Sequence, residues 1–165
     1  MKPFLKFSAV LCFLLVALVA CKKDDPDPCE NVSCLNGGTC NDGSCRCAAG
    51  YEGGTCATEQ RSKFLGVYNV SEACGSGNFT YTMNINTSAA GVQNVVFSNF
   101  GGYGVTVNGT INGSSITVPN QTLDVTGTSA TFSGSGQISG VILTLTYTTS
   151  AGGGSETCTA TCTKQ

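Results

Sequence analysis

Cysteines are the residues of this chain whose number and spacing most clearly predict chemistry. The 165 residues include eleven cysteines, no histidine and no tryptophan. Six of them lie within 28 residues, with four, five, four, one and eight residues between neighbours: Cys29, Cys34, Cys40, Cys45, Cys47 and Cys56. Such density predicts disulfides formed in an oxidising compartment. Zinc binding is disfavoured, because the single residue between Cys45 and Cys47 is fewer than the roughly two to four that zinc ribbons use.

The lack of histidine restricts catalytic chemistry. It removes the commonest general base and the Ser/His/Asp arrangement. From residue 64 onward the only acids are Glu72, Asp124 and Glu156. Glu72 and Glu156 fall near one end of the predicted fold, but we expect both to be solvated loop or edge charges. No glycine-rich phosphate loop precedes a helix. The sequence therefore predicts a protein that is not an enzyme.

The charge balance argues against nucleic acid as a partner. Eight basic and ten acidic residues give a formal net charge of -2. The basic residues form no stripe of the kind that follows a phosphate backbone. We expect no nucleic-acid binding.

The N-terminal residues are typical of an export signal. Two lysines precede an apolar run over residues 7–19, and small Ala20 stands directly before Cys21. The run is too short to span a bilayer, which needs about 20 apolar residues. The four residues "LVAC" resemble the lipobox of bacterial lipoproteins. The resemblance implies a signal peptide over residues 1–20 and attachment to the membrane through fatty acyl chains, such as palmitate, on Cys21. An ordinary signal peptide that leaves Cys21 as a spare thiol is the alternative.

Residues 21–28, "CKKDDPDP", predict a solvated tether, because they offer nothing to bury and proline keeps the chain extended. They also resemble the lysine-rich and acid-rich signal that follows the lipidated cysteine in surface lipoproteins of Bacteroidetes. The resemblance implies an outer-membrane protein whose body lies on the cell surface. A spacer facing the periplasm is the alternative.

Residues 29–56 resemble an epidermal-growth-factor-like (EGF-like) module. The stretches "NGGTC" and "CRCAAGYEGGTC" carry the resemblance. A segment of this size with so few apolar residues cannot form a core and needs covalent staples. Counting alone leaves about 15 connectivities open. The resemblance implies three pairs: Cys29 with Cys40, Cys34 with Cys45, and Cys47 with Cys56.

Calcium is a cofactor to consider for such a module. Some members of this family coordinate calcium through acids before the first cysteine, where Asp25 and Asp27 stand here. However, Pro28 occupies a position where the calcium-binding pattern has glutamate or glutamine, and residues 41–44 lack its aromatic residue. We expect no cofactor, with calcium at Asp25 and Asp27 as the alternative.

A polar, charged linker over residues 57–63 precedes a region rich in threonine, serine, asparagine and glycine. Apolar and polar residues alternate in "FTYTMNI", "YGVTVN" and "VILTLTYT", which predicts strands that include residues 79–85, 103–108 and 141–147. Asn-Gly and Gly-rich turns separate them. The predicted fold class is mainly β, with a disulfide-stapled EGF-like module and an antiparallel β-barrel or meander of eight or nine strands over residues 64–165.

The barrel region resembles two kinds of domain. "FLGVYNV" resembles the opening strand of lipocalin-like barrels, with Tyr68 in place of tryptophan, and "FSGSGQISGVILTLTYT" resembles a hairpin of small lipoprotein domains. A lipocalin-like barrel could enclose a small apolar ligand, or its inward side chains could form a solid core. The candidate pocket residues are Phe79, Tyr81, Met83, Tyr103, Leu143, Leu145 and Tyr147.

The last three cysteines constrain how a barrel would close. If the first strand pairs with the last, a bridge from Cys74 to Cys158 places eight residues, Val67 to Cys74, opposite the last strand. A bridge from Cys74 to Cys162 leaves only four residues of the first strand paired. The sequence therefore predicts a Cys74–Cys158 disulfide and a free, buried Cys162.

These observations together predict a surface-exposed outer-membrane lipoprotein. We expect its body to act as a binding or adhesion module for an extracellular protein or glycan. A lipocalin-like carrier of a small apolar ligand is the alternative function.

Overall fold

The computed structural model describes residues 26–165. The predicted signal peptide, the predicted lipidation site Cys21, the calcium candidate Asp25 and most of the predicted tether lie outside the described residues. No helix among residues 26–165 has the length and hydropathy that a membrane-spanning helix requires.

The N-terminal module, residues 29–56, is built from short strands and disulfides, and its second hairpin extends into the predicted linker. Strand β1 (Thr39–Asn41) pairs with β2 (Ser44–Arg46) across an Asp-Gly turn, in which both residues have positive φ, as a tight hairpin turn requires. Strand β3 (Tyr51–Glu52) pairs with β4 (Thr58–Glu59). The disulfides are those implied by the EGF-like resemblance: Cys29–Cys40, Cys34–Cys45 and Cys47–Cys56.

Eight longer strands follow, and each pairs antiparallel with the next along the chain. They are β5 (Gly66–Cys74), β6 (Gly77–Thr87), β7 (Asn94–Phe100), β8 (Val105–Asn112), β9 (Ser115–Val125), β10 (Thr128–Ser139), β11 (Ile142–Ala151) and β12 (Gly154–Lys164). Strand β12 also pairs with β5, which closes the sheet into a barrel. The prediction of a mainly β protein with an antiparallel barrel is confirmed, at eight strands.

The alternating sequence fills the barrel with apolar side chains. In β12, Cys158, Ala160 and Cys162 are buried, whereas the threonines between them are exposed. The same period-two pattern runs through the other strands because successive side chains point to opposite faces of a sheet. The largest buried side chains are Tyr68, Tyr147, Phe64, Phe97, Phe100 and Phe132.

The pairing of β12 with β5 sets the positions of the last three cysteines. Ala160 lies opposite Glu72, and Cys162 lies opposite Val70. Cys74 and Cys158 form a disulfide, and Cys162 is free and fully buried. Burial raises the pKa of the Cys162 thiol to about 12, so the group stays neutral and acts as a small apolar side chain.

The two ends of the barrel differ. One end, which we call the open end, carries the turns at residues 74–77, 100–105, 125–128 and 151–154. The other end faces the module, where Arg61 contacts the β6–β7 loop and Gln60 Oε1 accepts a hydrogen bond of 2.9 Å from the amide of Gly113. The predicted linker is ordered, since residues 58–59 form β4 and Gln60–Lys63 form a 3-10 helix.

Two of the predicted strand segments begin with residues that lie in turns. Strand β8 begins at Val105, and Tyr103 lies in a turn whose glycines have positive φ, a conformation that ends an extended strand. Val141 lies in the β10–β11 turn, next to Gly140 with positive φ. Alternation alone did not reveal these turns.

Candidate binding site at the open end of the barrel

The turns of the open end surround a cleft of about 480 Å³, which we call the main cleft. Its walls combine hydroxyl groups with aromatic rings and one carboxylate, including Tyr103, Thr128, Phe132, Thr149, Ser155 and Glu156. The ring of Tyr103 is 38% exposed and lies 5.6 Å, between centroids, from the ring of Phe132. The main cleft therefore offers an aromatic surface beside several hydrogen-bonding groups.

Glu72 lies inside the barrel at this end and is only 3% exposed. Its Oε2 accepts hydrogen bonds of 2.6 Å from the hydroxyl of Tyr81 and 2.8 Å from that of Tyr147. The expectation that Glu72 is a solvated charge is wrong. Tyr68, Val70 and Glu72 occupy every second position of β5 and share its inner face. This period-two pattern is the signal in the sequence that could have placed Glu72 inside the barrel.

Burial and the hydrogen bonds to Glu72 both raise the pKa of Tyr81 and Tyr147. Burial is the larger cause for each hydroxyl. Both hydroxyls therefore keep their protons and remain donors to Glu72 Oε2.

The second oxygen of Glu72, Oε1, has no hydrogen-bond donor among residues 26–165. Sγ of Cys74 lies 3.4 Å away, but this sulfur is bonded to Cys158 and carries no proton to donate. Glu72, Cys74 and Cys158 place their ligand-type atoms within 4.8 Å of one another. A disulfide supplies no thiolate, so these three residues do not form a metal site.

A smaller cleft of about 290 Å³, the side cleft, opens next to Tyr103. Its lining includes Glu72, Phe79, Thr80, Tyr81, Gly102 and Tyr103. Strand β6 pairs with β7 only through residues 84–87, so the part of β6 nearest the open end has no β7 neighbour. The side cleft lies beside this part of β6, which pairs with β5 but not with β7.

The β7–β8 turn forms one wall of the side cleft, and Asn99 holds it in place. The side-chain amide of Asn99 donates to the carbonyl of Thr82 at 2.8 Å, and Asn99 Oδ1 accepts from the amide of Gly104 at 2.9 Å. A Cβ on Gly102 would come 3.3 Å from the Tyr81 ring, with φ at +74°. Glycine therefore allows the turn to approach Tyr81 closely.

The open end carries negative charge. From residue 64 onward the charged side chains are Glu72, Asp124, Glu156 and Lys164. The three acids lie at the open end, whereas Lys164 lies at the module end, with Nζ 3.4 Å from the carbonyl of Lys63. Burial raises the pKa of Tyr103, and the charges of Glu156 and Glu72 raise it further.

The structure divides the seven predicted pocket residues into two groups. Met83, Leu143, Leu145 and Tyr147 are buried in the core, so they pack against other side chains of the barrel. The other three, Phe79, Tyr81 and Tyr103, meet at the side cleft. The turn glycines and the threonines of the main cleft were missed, because turns at one end come together only when the barrel closes.

Asp27, the calcium candidate within the described residues, has a local role. Its Oδ1 accepts a hydrogen bond of 2.8 Å from the amide of Cys29, which orders the start of the module. Its predicted partner Asp25 lies outside the described part of the chain.

The similarity of this chain to known proteins is low. No protein-family model matches the sequence, and no curated protein matches it. One similar solved structure is a Bacteroides fragilis protein provisionally named an outer membrane protein, with 18% sequence identity and a TM-score of 0.43. The alignment covers 64% of this chain and 52% of that one, so this chain spans about half the length of that neighbour.

Proposed function

We propose that this protein is a lipid-anchored outer-membrane lipoprotein, exposed on the cell surface, whose barrel binds an extracellular glycan. The observation that carries the proposal is the position of the main cleft. It opens at the end of the barrel opposite the EGF-like module. An anchor at Cys21, which precedes the module, would leave the main cleft facing away from the membrane.

The outer face of the barrel supports attachment through a lipid. Its exposed positions are mainly threonine, serine and asparagine, and the apolar side chains point inward. A transmembrane barrel has the opposite arrangement, with an apolar band facing the lipid. The lipobox at Cys21 then provides the membrane contact, because acyl chains hold a polar protein at the bilayer surface.

The size and shape of the main cleft favour a glycan over a protein partner. Its volume of about 480 Å³ falls within the range of about 300–1,000 Å³ that is typical of small-ligand sites. A stable protein interface buries about 800 Å² on each partner and needs a broader surface. Tyr103 can stack on the apolar face of a sugar ring while Thr128, Thr149 and Glu156 hydrogen-bond to its hydroxyls.

The proposal gives the protein no catalytic role, no cofactor and no nucleic-acid partner. The proposed glycan site is the main cleft at the open end of the barrel, and not the barrel interior. An apolar ligand carried in the interior would have to displace buried residues such as Leu143, Leu145 and Tyr147.

Intact cells that produce the protein, applied to a printed glycan array, test this proposal. We expect cells with the wild-type protein to adhere to a subset of glycans, and cells with Tyr103→Ala to lose that adhesion at least about tenfold. Val141→Ala is the matched control, because it removes an exposed apolar side chain at the module end. Cells with this variant should adhere like wild type.

The same cells report on display and anchoring. Protease added to unbroken cells should release wild type and Tyr103→Ala in equal amounts, whereas Cys21→Ser should abolish membrane retention and adhesion together. Adhesion that survives Tyr103→Ala, adhesion only to printed extracellular proteins, or a body protected from protease would each contradict the proposal.

A further inference from the structure

We propose that the side cleft binds a small organic cation, an alkylated ammonium group, through the Glu72 carboxylate and three surrounding aromatic rings. The inference does not rest on glycan binding, because it concerns a different cleft and a different ligand chemistry. It follows from the burial of Glu72, from the unused hydrogen-bond acceptor capacity of its Oε1 and from the aromatic walls of the side cleft.

The charge of Glu72 has no partner of opposite sign in residues 26–165. The ion pairs of this part of the chain join Arg61 to Glu59 and Lys63 to Glu52, all at or near the module. Burying a carboxylate without a compensating cation is costly, and an unpaired buried charge is rare in proteins. A cationic ligand in the side cleft would supply the missing charge.

One oxygen of Glu72 accepts no hydrogen bond from residues 26–165. Oε2 already accepts from Tyr81 and Tyr147, at 2.6 and 2.8 Å. The Cys74 sulfur, 3.4 Å from Oε1, is part of a disulfide and has no proton to donate. Glu72 itself is one of the residues that line the side cleft. The two tyrosine hydroxyls also fix the carboxylate in place, so a bound cation would meet a preorganised negative group.

The walls of the side cleft select the kind of cation. Phe79, Tyr81 and Tyr103 line it together, and the faces of aromatic rings carry negative electrostatic potential. Rings grouped around a cation attract it, and quaternary ammonium groups are bound in this way. An anion would be repelled by Glu72 and by the rings, and a neutral sugar would leave the charge of Glu72 uncompensated.

The size of the side cleft and the field around it agree with this ligand class. A volume of about 290 Å³ lies just below the usual range for drug-sized ligands, so it suits a head group. Asp124 and Glu156 add negative charge at the same end, which attracts cations over distance. Affinity should therefore fall with added salt.

Titration of the mature protein with choline chloride, followed by calorimetry and NMR, tests the proposal. The neutral isostere 3,3-dimethylbutanol is the control ligand, because it has the same shape without the charge. We expect choline to bind at least about tenfold more tightly than the isostere. Equal binding of the two, or no choline binding, would overturn the proposal.

Variants separate the contributions of Glu72 and the rings. Glu72→Gln keeps the shape and the acceptor for the tyrosines, so it should fold while it weakens choline binding at least about tenfold. Asp124→Asn is the matched control, since it removes the same charge from the open end outside both clefts, and it should change affinity less than about twofold. Equal effects of the two variants would contradict a local site at Glu72.

Phe79→Leu keeps the test decisive if Glu72→Gln fails to fold. Phe79 is 46% exposed and lines the side cleft but not the main cleft. This variant should lose choline binding and keep the glycan adhesion proposed above. Unchanged choline binding would refute the aromatic cage without bearing on the glycan site, so the two proposals can fail separately.

Discussion

The tyrosines inside the barrel act as fixed hydrogen-bond donors. Tyr81 and Tyr147 donate to Glu72, and the hydroxyl of Tyr68 donates to the carbonyl of Phe64 at 2.8 Å. Burial raises the pKa of Tyr68 to about 12, and the neighbouring Cys162 adds to the effect. Tyr81 and Tyr147 are shifted in the same direction. Each of these groups is neutral in the folded state at pH values where it ionises in the unfolded chain.

This difference predicts that the protein loses stability in alkali. Above the unfolded pKa of 10.0 the unfolded chain releases tyrosine protons that the folded chain keeps, so the free energy of unfolding falls as pH rises towards 12. The slope is about 1.4 kcal/mol per pH unit for each proton involved. Urea unfolding between about pH 8 and about pH 11 measures it. Tyr68→Phe should flatten the decline, and a stability that stays constant over this range would contradict the assignment.

The sequence predicts some positions far better than others. The pairing of Cys74 with Cys158 follows from the antiparallel register, because it leaves more of the first strand opposite the last strand than a pairing with Cys162 does. Glu72 was misjudged, because its acidic type outweighed its place in the two-residue alternation of β5. Tyr81 and Tyr147 were predicted as pocket residues, but their hydrogen bonds to Glu72 could not be predicted, because the three residues meet only in the closed barrel.

Strand β10 shows how closely the strands of the barrel approach one another. Gly134 and Gly136 occupy inward positions, and each is paired with β11. A Cβ on Gly136 would lie 2.5 Å from the carbonyl oxygen of Thr144 and 2.5 Å from a methyl group of Leu145. The strand therefore packs against backbone where an ordinary side chain has no room.

Gly136→Ala should consequently destabilise the barrel. The added methyl group forces backbone and Leu145 apart, and overpacking of this kind costs about 1–3 kcal/mol. Gly154→Ala in β12 is the matched control, because its nearest heavy atom would be 3.7 Å away and its φ is ordinary, so it should change stability by less than about 0.5 kcal/mol. Urea unfolding measures both, and equal losses would show that the close approach is not the cause.

Strand number was easier to predict than strand ends. Period-two alternation and Asn-Gly or Gly-rich turns indicated eight or nine strands, and the barrel has eight. Tyr103 and Val141 were predicted to lie in strands but lie in turns, because apolar residues in turns can continue the alternation by chance. Turn conformation depends on positive φ at glycine, which composition suggests but does not locate.

Arg61 connects the module to the barrel. Its Nη1 lies 3.1 Å from the carbonyl oxygen of Ser88, 3.0 Å from that of Gly91 and 3.2 Å from that of Asn94. Its Nε donates to Glu59 at 2.8 Å, and the side chain is 13% exposed. One cation therefore satisfies several carbonyls of the β6–β7 loop and ties that loop to the 3-10 helix. Such a tie would keep the open end directed away from an anchor that precedes the module.

Replacing Arg61 with Gln should loosen this connection. The loop carbonyls would lose a charged donor, and hydrogen bonds to charged groups contribute about 1.5–3 kcal/mol. Urea unfolding should show a loss of that order, and limited proteolysis should cut the β6–β7 loop faster. Lys63→Gln is the control, because Lys63 pairs with Glu52 through side chains that are 28% and 36% exposed, and such pairs contribute only about 0–1 kcal/mol. If Lys63→Gln costs as much stability as Arg61→Gln, or if the loop resists protease in both variants, Arg61 is not the residue that joins the two parts.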